Sequence, residues 1–385
     1  MAVSGLRHAR NGRTVKALFG QRSELMSARS ISRRGFLKTC AITGAAAMFA
    51  ATAPGCSASS SSKVKVLRLA NPMATGDNIT LGYDKLAELV EEKSGGALRI
   101  DHYANAVLGS DRVTTEAVQE GTLDMASCSS PNFSGFIPEF GAFDLPYVTD
   151  KQYQQNLYDA IDYGDLGQYY DEVTSARGLK LLMYTEYGYR NFAMAKKQIR
   201  SVADMDGSKI RTTDSKVEVA VVRALGGQAM PVSWGETFTA LSQGTVDGEG
   251  NTWSLLLSAK HNEALKYGIE SRHNYSMHIL TMGIDTWNKL SSDEQQVLSE
   301  ACHEALVWQR AVCFENEANN KKAMIAAGTD IYDPTESELQ AFKDATAPVW
   351  DSFVNKTIPQ KCVDMIQATQ SDGYKMLGAS EEASK

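Results

Sequence analysis

Three segments between residues 187 and 253 decide the fold of this 385-residue chain: YGYRN at 187–191, KIRT at 209–212 and TVDGEGNTW at 245–253. The second segment has the apolar pattern of a short strand. Apolar residues at helical spacing follow it at 215–225 and again at 235–243. A strand followed by helices of this length predicts one α/β unit.

Two arginines of this unit, Arg190 and Arg211, fall where a predicted strand meets a loop. In open α/β sheets, small ligands bind beyond the strand ends. Arginine suits a carboxylate because its planar group donates two parallel hydrogen bonds and keeps its charge. With the amide of Asn251, the two arginines suggest a site for an organic anion. For any single arginine, a solvated surface position is the alternative.

Several ordered blocks of the sequence carry a family resemblance. They are LGSDR at 108–112, GTLDM at 121–125, FGAFDLPY at 140–147, GYR at 188–190, DMDGSKIR at 204–211 and ALSQGTVDG at 240–248, followed by Asn251. In these blocks, the chain from about Lys65 to the late 320s resembles the substrate-binding proteins of TRAP transporters, the tripartite ATP-independent carriers of organic acids.

The resemblance implies an α/β, two-lobed periplasmic-binding-protein fold of type II, each lobe a mixed sheet flanked by helices. We expect lobe 1 to comprise 65–187 with 278–316, and lobe 2 to comprise 188–277 with 317–385. A capping pattern at Ser291 begins a helix that runs to about Ala327. A helix of this length, on the order of 50 Å, would bridge both lobes.

The same resemblance assigns roles to residues of the second lobe. Arg211 matches the arginine that binds the ligand carboxylate, Arg190 a second arginine, and Asn251 the amide that completes the site. Trp234 matches an aromatic wall. The sequence departs from the family pattern at two points. Glu249-Gly250 stands in place of the usual acidic-amide run before Asn251, and Trp253 stands where the family often has a proline.

The resemblance also implies that polar residues of the first lobe form the opposite wall, and further aromatic residues leave room for an apolar or ring-bearing acid. The polar residues are Asn71, Asp111, Ser129 and Ser130, and the aromatic ones are Tyr187 and Trp253. The alternatives are local: Asp111 as a helix cap, the serines as turn formers, and Trp234 and Trp253 as core residues.

We expect the lobes to close over a bound acid, because the ligand would bridge them and bind the closed state better. A closed pocket without a ligand would bury both arginines without compensating partners, which disfavours it.

The first 55 residues differ from the rest in carrying nine basic side chains and one acid, Glu24. SRRGFLK at 32–38 matches a twin-arginine export signal, and the apolar run 40–53 is too short to span a bilayer. APGC at 53–56 resembles a lipobox. Residues 1–55 are therefore a predicted signal peptide, and Cys56 is a candidate for lipidation. Residues 56–64 are predicted to be a flexible tether. A soluble export signal is the alternative. Either predicts an exported protein, in the periplasm or on the outer face of the cytoplasmic membrane.

Composition and motifs exclude other function classes. The net charge of −7 argues against nucleic acid as a partner. His273 and His278 fall on opposite faces of a predicted strand, so we expect no metal site and no cofactor. Known hydrolase motifs are absent, so we expect no enzyme.

The expected partners are a small carboxylate and TRAP permease subunits. A ligand sensor for a receptor, or less favourably an exported small-acid enzyme, is the alternative. A disulfide between Cys313 and Cys362 is possible in an oxidising compartment.

Overall fold

The computed structural model describes residues 64–376 of the 385. The predicted signal peptide, most of the tether with Cys56, and the polar C-terminal tail lie outside these residues. The strands are β1 (Lys65–Ala70), β2 (Leu98–Tyr103), β3 (Met125–Ser129), β4 (Leu179–Met194), β5 (Lys209–Thr212), β6 (Gln228–Pro231), β7 (Gly248–Asn251), β8 (Tyr267–Gly283) and β9 (Asp330–Tyr332).

Helices alternate with these strands and cover the sheet. They are α1 (Asn78–Lys93), α2 (Asp111–Gln119), α3 (Ser130–Phe133), α4 (Gln154–Asp162), α5 (Asp165–Ser175), α6 (Lys216–Ala224), α7 (Trp234–Ser242), α8 (Trp253–Ser258), α9 (Ile284–Asn288), α10 (Ser292–Ala326), α11 (Glu336–Thr346), α12 (Pro348–Phe353) and α13 (Gln360–Ala368). The strand and the two helices expected at 209–212, 215–225 and 235–243 are confirmed as β5, α6 and α7, while the strand β6 between those helices was not expected. In both β1-α1-β2 and β5-α6-β6 the two strands pair in parallel.

One mixed sheet contains every strand of the described part of the chain, in the order β2-β1-β3-β8-β4-β7-β5-β6, with β9 also on β8. The strands β1–β3 form one parallel group and β5–β7 another. The long strands β4 and β8 pair antiparallel between the two groups. Their register shifts at three points, including Glu186/Gly188 and Arg190/Phe192. Such bulges re-aim side chains, so alternation along these strands cannot be read from sequence.

Helix α10 is the long helix expected from the sequence, and ion pairs tie its two ends to different strands. Its first turn has the expected capping box, in which Ser291 and Glu294 bond reciprocally. Near this end, Lys65 of β1 pairs with Glu294 at 2.5 Å. Near the other end, Lys321 pairs with Glu270 of β8 and with Asp333. No helix among residues 64–376 is both long and apolar enough to cross a bilayer.

Three apolar clusters form the core. One lies between β1–β3, α1 and α10 and includes Leu69 and Tyr83. A second contains Phe140 and Phe192, and a third surrounds Trp253. The four cysteines of the described chain are buried and free, so the disulfide that the sequence permits between Cys313 and Cys362 is not formed.

Candidate functional site

Arg211 lies near the end of β5 with its side chain almost completely buried, at 3% exposure. Its Nε donates to the carbonyl of Val232 at 3.0 Å, and its Cζ lies 5.7 Å from the centre of the Trp234 ring. The two terminal nitrogens have no hydrogen-bond or ion-pair partner among residues 64–376. A buried cation with free donors is uncommon and suits an anionic ligand.

Arg190 lies inside the long strand β4, not at the strand end expected from the sequence. It is equally buried, but its guanidinium already has partners. Nη1 lies 2.9 Å from Oε1 of Glu218, and Nε and Nη2 donate to the carbonyl of Gly250 at 3.1 and 2.7 Å. Burial lowers the pKa of Arg190, but Glu218 and other nearby anionic groups outweigh it and raise the pKa above the usual value. The expectation that both arginines lack compensation is therefore wrong for Arg190.

Glu218 also lies in a local helix-start pattern. The pattern Ser215-x-x-Glu218 is that of a capping box at the start of α6, and Ser215 does accept from the Glu218 N–H. The carboxylate instead accepts from the N–H and hydroxyl of Thr213, both at 2.8 Å, and reaches Arg190. Ser215 donates to buried Asp144 at 2.7 Å, and burial followed by the charge of Glu218 raises the pKa of Asp144 well above its usual value.

Asn251 ends β7, which lies between β4 and β5. In register, Asn251 pairs with Asn191, the neighbour of Arg190 on β4, and Arg211 of β5 pairs with Glu249, two residues before Asn251. Its Oδ1 accepts from the hydroxyl of Tyr187 at 2.5 Å. Its Nδ2 donates to Glu249 at 3.1 Å, which leaves one amide hydrogen free. Asn251 and Tyr187, each a predicted site residue, are therefore in direct contact.

Glu249 and His261 form a fully buried pair behind Asn251. Oε1 of Glu249 lies 2.5 Å from Nδ1 of His261. Burial alone would raise the pKa of Glu249, but His261, then Arg211 and the Asn251 amide, outweigh it and lower the pKa. Glu249 is therefore ionised. Its two oxygens bind His261 and Asn251, and neither of them binds Arg211. The polar run at 247–251 gave no indication that this carboxylate would pair with a histidine twelve residues away.

Trp234 begins α7 beside this pair. Its ring lies 4.7 Å from that of His261, at a tilted angle. Trp234 is partly buried and packs against the core cluster of β1–β3. Trp253, by contrast, is 1% exposed and packs in the third cluster, so core packing describes its position.

The predicted polar residues of the first strand group also form hydrogen bonds within the protein. Asn71 donates to Thr80 at 2.8 Å, Asp111 accepts from the Ser129 N–H at 2.8 Å, and the Ser130 hydroxyl accepts from the Met277 N–H at 3.3 Å. The cap alternative does not describe Asp111, because Ser110 holds the N-cap position of α2 and the Asp111 carboxylate bonds to Ser129, whereas Ser129 does occupy the N-cap position of the short α3. These contacts also bring Asp111, Ser129 and Ser130 together at the carboxyl end of β3.

Two cavities adjoin these residues. One of ≈10 Å³ is lined by both arginines, with Glu218, Gly250 and His273 among its other residues. A larger one, ≈200 Å³, lies between β4 and α10 and is lined by Tyr187 and Trp253 among others.

Comparison with known proteins gives a consistent result. Residues 69–357 match the family model described as DctP, bacterial extracellular solute-binding protein, family 7. A solute-binding protein of Verminephrobacter eiseniae is 31% identical over 288 residues, which are 74% of this chain and 84% of the relative. The 2,3-diketo-L-gulonate-binding periplasmic protein YiaO of Escherichia coli is 28% identical over 80% of this chain and 94% of its own.

Solved structures agree. A TRAP periplasmic solute-binding protein of a Polaromonas species, bound to D-erythronate, is 28% identical with a TM-score of 0.75, over 80% of this chain and 100% of that one.

Proposed function

Because the chain belongs to the bacterial extracellular solute-binding proteins of family 7, with their two-lobed fold, we propose how it binds its ligand. An organic acid anion enters between the lobes, Arg211 binds its carboxylate, and the closed protein delivers it to a TRAP membrane permease. The lobes proposed are 65–187 with 278–316 and 188–277 with 317–385, which place Arg211 and Asn251 in lobe 2.

One observation carries this proposal: Arg211 is buried and its terminal nitrogens have no partner among the described residues. A carboxylate would supply two charge-assisted hydrogen bonds and the missing negative charge. The free amide hydrogen of Asn251 gives a third donor on the neighbouring strand.

Arg190 has a different role in this mechanism. Since Glu218 and Gly250 already bind its guanidinium, it holds the β4 and β7 strands in place beside the carboxylate and adds positive potential. Trp234 covers the aliphatic part of the ligand. Tyr187, Asn71, Asp111, Ser129 and Ser130 complete the pocket from the other side, with Trp253 supporting the loop behind Asn251.

The ligands of two relatives support a ligand class for this proposal. One is named for 2,3-diketo-L-gulonate and a solved one holds D-erythronate, both acids with several oxygens on a short carbon chain. We infer a ligand of this kind. We also infer export through the twin-arginine leader at 1–55 and anchoring by a lipid on Cys56.

Calorimetric titration with D-erythronate and related acids tests the site. Arg211→Ala should weaken binding by about 2–5 kcal/mol, or roughly 30-fold or more, because the carboxylate loses its partner. Arg99→Ala is the matched control, since Arg99 lies on the exposed surface of β2 and pairs only with Asp101. Equal, small losses in both variants would contradict the proposed site.

A further inference from the structure

A chain of buried hydroxyl groups ends at His278 of β8. The Thr185 hydroxyl donates to the Tyr83 hydroxyl at 3.1 Å, which lies 2.8 Å from the Ser127 hydroxyl. The Ser127 hydroxyl in turn lies 2.8 Å from Nδ1 of His278. All four side chains are 0% exposed, so no bulk water competes for these bonds.

The direction of this chain fixes the imidazole tautomer. Each hydroxyl has one hydrogen, and a buried hydrogen without an acceptor is costly. Because Thr185 donates to Tyr83, the Tyr83 hydrogen finds an acceptor only at Ser127. Ser127 must then donate to Nδ1 of His278. The ring hydrogen consequently lies on Nε2.

The Nε2 atom of His278 is buried and has no hydrogen-bond partner among residues 64–376. Burial, the largest cause, lowers the pKa of His278 to about 4, so the ring is neutral at neutral pH. A neutral N–H donor without a partner is therefore held in a fixed orientation.

His278 lies beside the groups of the carboxylate site. It pairs in register with Ser129 of β3. Its ring stacks on Tyr187 with centroids 5.4 Å apart and planes 9° apart, and the Tyr187 hydroxyl binds Asn251. The charges that act on it are those of Asp111 and Arg190.

We propose that His278 is a further substrate-binding residue, whose Nε2–H donates to an oxygen on carbon 2 of the bound acid. The site then selects 2-hydroxy and 2-oxo acids. This inference rests on the function proposed above for the same site. An acid with a methylene at carbon 2 leaves the buried donor unpaired, and sites built to hydrogen-bond a substrate oxygen reject analogues that lack it.

The test compares acids that differ only at carbon 2: D-erythronate with 3,4-dihydroxybutanoate, and 2-oxobutanoate with butanoate. Calorimetry on the wild-type protein should show the oxygenated acid of each pair binding about tenfold more tightly, the effect of one neutral hydrogen bond. His278→Phe keeps a ring against Tyr187 but removes the donor. It should abolish the preference, so that the two acids of each pair bind with equal affinity.

His278→Gln supplies a second variant, because its amide can donate from a similar position and should restore part of the preference. The tautomer is measured without any substitution or ligand, by the pattern of ¹⁵N–¹H couplings of the labelled imidazole. A hydrogen on Nδ1, or a preference that survives in His278→Phe, overturns the inference.

The two proposals fail in different ways. If Arg211→Ala weakens binding of all four acids while His278→Phe keeps the carbon-2 preference, the carboxylate site stands and the role of His278 is wrong. If Arg211→Ala binds them as the wild type does, the carboxylate site itself is wrong.

Discussion

Arg190 and Arg211 lie on strands that flank the same short strand, yet their surroundings differ. Each has a buried glutamate nearby. Glu218 pairs directly with Arg190, whereas Glu249 binds His261 and Asn251 and leaves Arg211 without an ion-pair partner among residues 64–376. One arginine is therefore part of the folded framework, and the other is available to an anion. The comparison shows that burial of a cation does not by itself reveal its role; the partner does.

Breaking the Arg190 pair should have the largest effect on stability. Glu218→Ala leaves a buried guanidinium uncompensated, and we expect the free energy of unfolding to fall by about 3–5 kcal/mol, as measured by urea titration. Glu116→Ala is the control, because it removes an exposed partner of Arg112 and should cost about 1 kcal/mol or less. Similar losses in the two variants would contradict the structural role of Arg190.

Gly250 supplies the carbonyl that binds Arg190, and it also makes room for His273. A Cβ at this position would lie 2.8 Å from Nε2 of His273, whose ring is held by stacking on Phe192. Gly250→Ala should lower the free energy of unfolding by about 1–3 kcal/mol through overpacking. Gly235→Ala, where a Cβ meets nothing within 4 Å, should be neutral. A neutral Gly250→Ala would show that the histidine moves freely.

The glutamate beside Arg211 predicts a pH dependence. Because the folded-state pKa of Glu249 is lowered, its stabilising contribution is fully present above the unfolded value of about 4.3 and is lost as pH falls through the folded value. His261→Phe keeps a ring near Trp234 but removes the main cause of the shift. We expect a shallower loss of stability below about pH 4.3 in this variant, measured by urea titrations at several pH values. An unchanged slope would mean that the pair does not hold Glu249 ionised.

Removing Arg211 should change stability least. No described residue pairs with its terminal nitrogens, so Arg211→Gln breaks no ion pair and forfeits the hydrogen bond from Nε to the carbonyl of the half-buried Val232. We expect the free energy of unfolding to stay within about 1 kcal/mol of the wild type in the absence of ligand. Arg190→Gln, measured alongside, should be strongly destabilised. A large loss in Arg211→Gln would mean that Arg211 is also structural.

Much of the fold follows from local sequence. The capping box at Ser291 begins α10 where expected, and the cap at Ser215 begins α6. The apolar periods around them give the order of strands and helices. These features depend on residues within one or two turns of each other, so their physical causes are visible in a short window.

The pairing of side chains in the site was less predictable. Arg190 lies on β4, and Glu218 lies on α6, the helix that follows β5. The two meet because β7 joins β4 to β5 in the sheet, and the register shift at Arg190/Phe192 re-aims the side chains around them. Glu218 has a local explanation as a capping residue, which concealed its contact with Arg190. His278 was considered only as a metal ligand, since nothing in its neighbours along the chain indicates the hydroxyl chain behind it.

By itself, the sequence determined the class of fold, the family and the choice of the two arginines, because those properties depend on local pattern and on ordered motifs. Only the tertiary structure decided which arginine is neutralised by a buried carboxylate and which remains free. The reason is physical: a charge in the interior is governed by the atoms within a few ångströms of it, and in this protein those atoms come from strands far apart in the chain.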